Sequence, residues 1–392
     1  MEDWPFPIFL VDNQTMVHTL IHECYKKFNE PRGEEPREWP LCAIELISHM
    51  IAAVDTKTCQ RRNDLINIFA PTLVCDPMGD QNIFHLNSQV DFTKEKFADK
   101  SVLLLSARLD TVNLFDKVET GLDSPTSSIV TLLSAAELMY RSGTLANEDK
   151  KVLFALLNGE SFDYIGSSRM AYDIKQNQFP AKRQERQVSD DQDSKLQWPN
   201  LDFKSILAHV ELGQVISHQN ANLFAHVHST FNDQQTLDDL VAEGQKVGLS
   251  IVKTPKKVLP PSSIQSLLKE DPNVPGILLS NFDESFTNKY YHSLYDNSSV
   301  QDFQVSHLIK VSETIAQFAY GQLNVPIPQD FRADEELISD LIECYTVTAQ
   351  CKLFKAMTST DFNQASNLPD YPYPQYVGVD RSKTYHTLFT YR

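Results

Sequence analysis

KKVLFALLNGESFDYIGSSRM (residues 150–170) joins an apolar run to a carboxylate and a turn of small residues. The run at 152–157 predicts a buried strand, because short continuous apolar segments are typical of strands covered on both faces. Glu160 follows that run, and a Gly-Ser-Ser turn begins at Gly166. In open α/β sheets, ligands bind beyond the carboxyl ends of the strands. Glu160 is therefore either the general base of a hydrolase or the remnant of one.

Strands and helices alternate along the chain on both sides of this stretch. Apolar strands are predicted at 101–110, 205–212, 222–229 and 274–280, and helices at 127–143, near Ser168 and at 235–247. Gly143 stands where a glycine stop ends a helix. Regular alternation predicts an α/β fold with a mostly parallel central sheet and helices on both faces.

The distribution of cysteines, apolar runs and polar linkers along the sequence predicts three parts. Residues 1–98 form a cysteine-rich lead segment, with a helix at 40–54 and a turn-rich connector at 71–80. Residues 99–325 carry the alternating strands and helices, and 326–392 form an extension with a helix at 334–354 and a terminal hairpin. A polar, charged run at 181–200 predicts a solvated surface loop.

Composition excludes several classes of protein. The net charge is −17, and no stripe of Lys and Arg alternates with aromatic residues, so nucleic acid is not a predicted partner. The hydrophobic fraction of 41% is typical of a globular chain. No apolar run approaches the roughly 20 residues that span a bilayer, and the acidic start with its prolines is not a signal peptide.

Cysteines and glycosylation acceptors nevertheless favour an oxidising compartment. Four cysteines lie close together near one end, without metal-binding spacing, and predict two disulfides: Cys24, Cys42, Cys59 and Cys75. Asn13 and Asn297 each begin an Asn-x-Ser/Thr triplet. We therefore expect a lumenal or extracellular fragment. Cys344 and Cys351 would lie about 10 Å apart in one straight helix, so they are predicted to be unpaired.

Polar side chains follow the predicted strands, where a parallel sheet would collect them at one edge. Their order resembles the zinc aminopeptidases with two co-catalytic metals, in which a His-x-Asp motif, a bridging Asp, a Glu-Glu pair, a further Asp and a final His surround the metals. The resemblance implies an aminopeptidase-like fold. The corresponding positions in this chain are occupied by Arg108, Asp110, Ser124, Ser161, Glu211 and His292.

Most metal ligands implied by this resemblance are replaced. Arg108 and the two serines cannot take the place of His and carboxylate ligands, although Asp123 replaces Ser124 if the loop is aligned one residue earlier. A guanidinium about 4 Å from a dication adds repulsion on the order of 8 kcal/mol at an effective dielectric of about 20. We predict no bound metal and no cofactor. Arg108 can instead pair with Glu160 or Glu211 in the vacated space. His226 and His228 are predicted as an exposed pair on one strand face.

The motif at 163–168 resembles the nicastrin family, whose members are the large glycoprotein subunit of γ-secretase. Its residues are Asp163, Tyr164, Ile165, Gly166, Ser167 and Ser168. SARLD, HVELGQV, LPPSSIQSLL and NKYYHSLYD resemble the same family, over about residues 6–323. The resemblance implies that 1–98 is a partial small lobe with the disulfides Cys24–Cys42 and Cys59–Cys75, and that 99–325 is the large lobe.

The resemblance implies a non-catalytic role. The family stabilises a complex with presenilin and the other membrane subunits of γ-secretase, and it gates short stubs of type I membrane proteins such as Notch and the amyloid precursor protein. It also implies a single-pass type I protein of the endoplasmic reticulum, Golgi and plasma membrane with a lumenal or extracellular ectodomain, its signal and anchor lying outside this sequence.

Several roles for the remaining site residues stay open. Glu160, with Tyr164 nearby, can bind the amino terminus of a stub, or the bulk of the ectodomain can block long substrates. Glu160 can also be a buried structural partner that holds the 163–168 turn. The competing class is a single-zinc hydrolase with Glu160 as base and Glu211 and His292 as ligands.

Overall fold

A computed structural model describes much of the chain. The described residues are 11, 13–31, 39–44, 81–88, 90–112, 121–143, 149–180, 198–216, 222–298, 304–358 and 368–372. The chain divides into two compact units, Met1–Asp76 and Pro77–Arg392. The Cys59–Cys75 pair, the connector at 71–80, the terminal hairpin, and most of the 40–54 helix and of the 181–200 loop lie outside the described residues.

The larger unit contains a seven-stranded sheet in the order β1-β3-β2-β4-β7-β5-β6. The strands are β1 (Ile83–Leu86), β2 (Val102–Arg108), β3 (Lys151–Leu157), β4 (Ile206–Leu212), β5 (Asn222–Val227), β6 (Ser250–Lys253) and β7 (Gly276–Ser280). The pairs β1–β3 and β5–β7 are antiparallel, and the other four neighbouring pairs are parallel. The predicted mostly parallel sheet is confirmed.

Helices cover both faces of the sheet. The described helices of this unit are α2 (Ser127–Ser142), α3 (Ile165–Lys175), α4 (Gln234–Lys246), α5 (Ile264–Glu270), α6 (Val305–Leu323), α7 (Glu335–Thr346) and α8 (Lys352–Thr358). Successive β2 side chains point to opposite faces, so Leu103 packs in the core that contains Val130 and Val311, while Leu104 packs with Met170. Burial on both sides explains why most of this strand is apolar.

Helix α2 has the bounds that its sequence predicts. It ends at Ser142, and Gly143 follows with φ 66°, the left-handed conformation that glycine adopts without a steric penalty. At its other end, a short turn over Leu122–Thr126, in which Ser124 has an extended backbone, leads directly into the helix. This turn carries Asp123 to the carboxyl edge of the sheet, next to the strand ends described below.

The prediction for Cys344 and Cys351 is wrong. A disulfide joins them, with a Cα–Cα distance of 5.3 Å. The segment at 334–354 is not one straight helix, because α7 ends at Thr346 and α8 begins at Lys352. The turn between them places Cys351 beside the last turn of α7, where a helical rise of about 1.5 Å per residue no longer separates the two cysteines.

His226 and His228 are buried, so the prediction of an exposed pair is also wrong. Strand β5 lies between β7 and β6, and its successive residues Ala225, His226 and Val227, which point to alternate faces of the sheet, are all buried. His226 Nε2 lies 2.9 Å from the Ser280 hydroxyl, and His228 Nε2 lies 3.1 Å from the Val274 carbonyl. Burial lowers the pKa of both imidazoles and so favours their neutral form, as expected for buried structural histidines.

The smaller unit contains the helix α1 (Gln14–His18), which continues as a π-helix over Thr19–Asn29. The disulfide Cys24–Cys42 implied by the family resemblance is present, and Asn29 supports it by donating to the Cys42 carbonyl at 2.7 Å. Asn13 caps α1 through its side-chain oxygen, which leaves the amide nitrogen that would carry a glycan out of the cap. Across the part of the chain that is described, no helix is long and apolar enough to cross a membrane.

Candidate functional site

Three neighbouring strands bring charged side chains to one edge of the sheet. Arg108 ends β2, Glu160 follows β3, and Glu211 lies near the end of β4, with β2 between the other two strands. All three side chains are buried, with 8%, 2% and 1% of their surface exposed. Parallel strands place their carboxyl ends together, which is why residues more than 100 positions apart meet here.

Glu160 is engaged on both of its carboxylate oxygens. Oε1 accepts the backbone N–H of Ser167 at 2.7 Å, and Oε2 accepts the hydroxyls of Ser167 at 2.8 Å and Ser263 at 2.6 Å. Ser167 lies in the first turn of α3, where backbone N–H groups lack helical partners and favour a negative charge. Glu160 therefore ties the start of α3 to the segment before α5.

Glu211 makes the equivalent contact with α5. Its Oε1 accepts the Ser263 N–H at 3.1 Å, and its Oε2 accepts the Ile264 N–H at 3.0 Å. Ser263 thus bridges the two glutamates, since its hydroxyl binds Glu160 and its backbone N–H binds Glu211. The two carboxylates hold the adjacent starts of α3 and α5 in place.

The protonation of these glutamates follows from their burial. Burial raises the pKa of Glu160 to about 7, opposed by hydrogen bonds from Ser263 and Ser167 and reinforced by the negative charge of Glu211. Burial also raises the pKa of Glu211, opposed chiefly by the positive charge of Arg108. A buried carboxyl group with a pKa near 7 is common at catalytic sites. Here, however, the carboxylate oxygens accept hydrogen bonds from Ser167 and Ser263 of the protein itself.

Arg108 contacts hydroxyl groups instead of carboxylates. Its Nη1 donates to the Tyr291 hydroxyl at 3.3 Å, and it lies close enough to the Tyr164 hydroxyl to oppose the rise in that tyrosine's pKa. Among the described residues, no direct ion pair joins Arg108 to Glu160 or Glu211, so the bidentate pair considered from sequence is not the arrangement found. The guanidinium acts on both glutamates through space.

Asp110 braces the loop that carries Glu160. Its Oδ1 and Oδ2 accept the backbone N–H groups of Glu160 and Ser161, each at 2.9 Å. The Ser161 hydroxyl returns a hydrogen bond to the Asp110 carbonyl at 3.2 Å. Ser161 therefore holds this loop in place through both its backbone N–H and its hydroxyl.

Asp123 forms a second cluster at the same edge. Its carboxylate accepts the Ile216 N–H at 3.2 Å and the side-chain amides of Asn281, at 3.0 Å, and Asn288, at 3.2 Å. Asp296 closes the cluster by accepting the Asp123 N–H at 3.1 Å and the Ser124 N–H at 3.4 Å. Ser124 thus takes part through its backbone.

His292 and Tyr164 both have positive φ angles, 54° and 59°. The His292 ring stacks on Tyr291 at a centroid distance of 3.8 Å, and its buried Nε2 has no hydrogen-bond partner in the described part of the structure. Burial and the charge of Arg108 lower the His292 pKa to about 4. Burial raises the Tyr164 pKa to about 12. Both rings therefore remain neutral beside the guanidinium.

Sequence reasoning missed the partners that occupy the carboxylates. Ser263, Asn281 and Asn288 donate to the carboxylates, and Tyr291 accepts from Arg108, yet none of the four belongs to a ligand motif. Asn281 alone carried a usable signal, because it directly follows the buried strand β7 and so had to lie at the same edge. The others come from irregular segments whose course only the fold defines.

The described residues do not fit a metal site of the aminopeptidase kind. No group of three or more His, Cys, Asp or Glu side chains among them is arranged to hold a metal ion. Both oxygens of Glu211 face backbone N–H donors, and His292 lies within the field of the buried Arg108. A cation at this point would compete with the N–H groups and meet a fixed positive charge.

Known proteins match this chain over nearly its whole length. The sequence model of the nicastrin large lobe matches residues 101–322, and that of the nicastrin small lobe matches residues 1–52. The chain belongs to the nicastrin family. Nicastrins of Mus musculus and Homo sapiens are each 30% identical to it, over 410 and 412 residues, which is 96% of this chain and 54% of each relative. The chain thus spans about half the length of these relatives.

A solved structure has the same fold. The crystal structure of the gamma-secretase component nicastrin superimposes with a TM-score of 0.61 at 22% identity, covering 78% of this chain and 52% of that one. The zinc aminopeptidase of Bacillus subtilis matches 61% of this chain with a TM-score of 0.43 at 12% identity. The family assignment and the nicastrin fold therefore agree.

Proposed function

We propose that this nicastrin-family chain is a non-catalytic ectodomain that stabilises a γ-secretase complex and gates the entry of type I membrane protein stubs. The observation that carries the proposal is the state of the strand-end carboxylates. Asp110, Asp123, Glu160 and Glu211 all accept hydrogen bonds from the protein's own N–H and O–H groups. Groups that a hydrolase would direct at a metal or at water are here used to hold loops and helices.

The partners follow from the family. We propose presenilin and the other membrane subunits of γ-secretase as partners, and short stubs of proteins such as Notch and the amyloid precursor protein as substrates. The full protein would then be a single-pass type I membrane protein with this region on the lumenal or extracellular side. The Cys24–Cys42 and Cys344–Cys351 disulfides support an oxidising compartment. The division into lobes at 1–98, 99–325 and 326–392 remains a prediction.

Glu160 has two candidate roles within this function. Contact between Glu160, Tyr164 and the amino terminus of a stub remains a prediction. The geometry supports the structural role more strongly, because Glu160 is 2% exposed and both of its oxygens are already bonded. A substrate ammonium would have to displace hydrogen bonds that hold α3 and α5. Gating by the bulk of the folded lobe needs no such displacement.

The test compares Glu160→Ala, Glu160→Gln and the exposed Glu284→Ala in the assembled complex. We expect Glu160→Ala to reduce co-purification with the membrane subunits and stub cleavage in parallel, because it leaves the buried Ser167 N–H without its acceptor. Glu160→Gln keeps an acceptor and should assemble better, and Glu284→Ala should match the parent. Normal assembly with lost cleavage would show substrate contact instead. If the purified chain had peptidase activity and Glu160→Gln abolished it, the competing hydrolase function would be established.

A further inference from the structure

Arg108 differs from the other buried charges at the strand ends in its choice of partners. The four carboxylates are bonded directly to N–H or O–H donors, whereas the guanidinium contacts only neutral hydroxyls among the described residues. A guanidinium carries several N–H donors in a planar fork and no acceptor, and neutral hydroxyls can accept its hydrogen bonds without balancing its charge. At 8% exposure, its charge has little water around it.

The groups around Arg108 can donate hydrogen bonds. The Tyr291 hydroxyl accepts a hydrogen bond from Arg108 and keeps its own proton to donate. The Tyr164 hydroxyl also contacts the Arg108 guanidinium. His292 adds the ring nitrogen Nε2, which has no partner among the described residues. Phe286 stacks on Tyr291 at 4.8 Å, and His292 stacks on the same tyrosine at 3.8 Å, so the donors belong to a packed aromatic wall.

We propose that this edge of the sheet binds a peptide carboxylate at Arg108, with Tyr164, Tyr291 and His292 as additional hydrogen-bond donors. A carboxylate matches the guanidinium fork with two parallel hydrogen bonds. An ammonium has the opposite requirement, since it needs an acceptor and would meet the positive charge of Arg108. The acceptors nearby, Glu160 and Glu211, are already bonded to Ser167, Ser263 and Ile264. The site therefore selects for negative charge.

Two peptide groups have this chemistry, the side chain of Asp or Glu and a terminal carboxylate. Both offer two oxygens in a plane, and the packed wall beside Arg108 suits either. The proposal concerns binding by this chain alone, so it does not depend on γ-secretase assembly. Its failure would leave the gating function intact, and failure of the gating function would leave this binding site intact.

The experiment titrates the purified 392-residue chain with three capped tripeptides, followed by ligand-observed NMR. Acetyl-Ala-Glu-Ala-amide offers a side-chain carboxylate, acetyl-Ala-Ala-Ala offers a terminal carboxylate, and Ala-Ala-Ala-amide offers only an ammonium. We expect at least one carboxylate peptide to bind at millimolar or lower concentration, and the ammonium peptide to bind at least about tenfold more weakly. The stronger of the two acids identifies the source of the carboxylate.

Variants connect the binding to Arg108. Arg108→Gln should weaken the carboxylate peptide by about tenfold to a hundredfold, the range expected for a charge-assisted pair. Tyr291→Phe keeps the Arg108 charge but removes one hydroxyl donor, so it should weaken peptide binding a few-fold. This variant provides the test if Arg108→Gln does not fold. Arg141→Gln is the matched control, because Arg141 is an exposed arginine on α2.

Three outcomes would overturn the proposal. The first is equal or tighter binding of the ammonium peptide. The second is binding of neither acid by the folded parent chain. The third is unchanged carboxylate affinity in Arg108→Gln or, if that variant does not fold, in Tyr291→Phe.

Discussion

The strand-end edge contains two clusters of buried carboxylates that are satisfied in different ways. Around Asp123, the donors are a backbone N–H and two asparagine side chains, and they come from separate segments of the chain. Around Glu160, the donors are hydroxyls and the N–H groups of helix starts, with the buried Arg108 close by. The first cluster joins loops to one another, and the second joins two helices to the sheet.

The two clusters also differ in how positive charge reaches the carboxylates. In the Asp123 cluster, asparagine amides stand where they supply N–H donors to the carboxylate, so no cation is needed. In the Glu160 cluster, an arginine supplies positive charge without binding either glutamate directly. We therefore expect the Asp123 cluster to contribute stability alone, and the Glu160 cluster to contribute stability together with a ligand preference.

Asp123→Ala should have the largest effect on stability. It leaves the Ile216 N–H and the amides of Asn281 and Asn288 without their acceptor in a fully buried position. We expect a loss of about 4 kcal/mol in the free energy of unfolding, measured by urea denaturation. Asp123→Asn should also destabilise, because it places an amide donor against two others. A loss below about 1 kcal/mol in Asp123→Ala would show that this cluster is not a brace.

The pH dependence of stability should distinguish the Glu160 cluster. Burial raises the Glu160 pKa from its ordinary 4.5 to about 7, so the folded state binds this proton more tightly than the unfolded chain. Its contribution is complete below about pH 4.5 and is lost as the pH rises through about 7. The total is on the order of 3 kcal/mol.

Glu160→Gln isolates this contribution. The buried histidines change the stability in the opposite sense, because burial lowers the pKa of His209 to about 3 and of His292 to about 4. Their contribution to the free energy of unfolding increases as the pH rises, and it is common to the parent and the variant. The difference in unfolding free energy between the parent and Glu160→Gln should therefore shift against the parent from pH 4.5 to 7. Parallel profiles would show that Glu160 is not protonated more readily in the folded state.

Gly166→Ala should disturb the start of α3 without touching a charge. A Cβ at this position would meet the backbone oxygen and nitrogen of Asn158 and the side-chain oxygen of Asn82. We expect a loss of about 2 kcal/mol, seen as a lower Tm. Gly321→Ala is the control, since a Cβ there meets nothing within 4 Å, and it should be neutral or slightly stabilising. Similar effects of the two variants would contradict a close-contact role for Gly166.

Ser167→Ala should have the smallest measurable effect, about 1 kcal/mol. The hydroxyl of this fully buried serine donates to Glu160, whereas the backbone N–H that also binds Glu160 is retained. Ser168→Ala is the neighbouring control, because Ser168 is exposed and its hydroxyl lies 3.2 Å from the Ser266 hydroxyl. Equal losses in the two variants would contradict a specific role for the first serine.

Much of the fold could be predicted from local pattern. The largely apolar strands β2, β3 and β4 could be predicted, because burial on both faces favours apolar residues along most of their length. Strands β1 and β6 were missed, because each has four residues and exposed positions that weaken its signal. Cys344 and Cys351 were misjudged for a related reason, since the end of α7 carries no glycine or proline to mark it.

By itself, the sequence determined the alternation of strands and helices and the nicastrin-family motif at 163–168, and it predicted that Arg108, Ser124 and Ser161 stand where zinc aminopeptidases carry metal ligands. These properties are local, since each depends on residue types and their spacing along the chain. Only the tertiary structure decided how the remaining carboxylates are used. Glu160 meets Ser263, and Asp123 meets Asn281, across more than 100 intervening residues. Hydrogen bonding acts over about 3 Å, so which donors satisfy a buried charge depends on chain topology and not on sequence proximity.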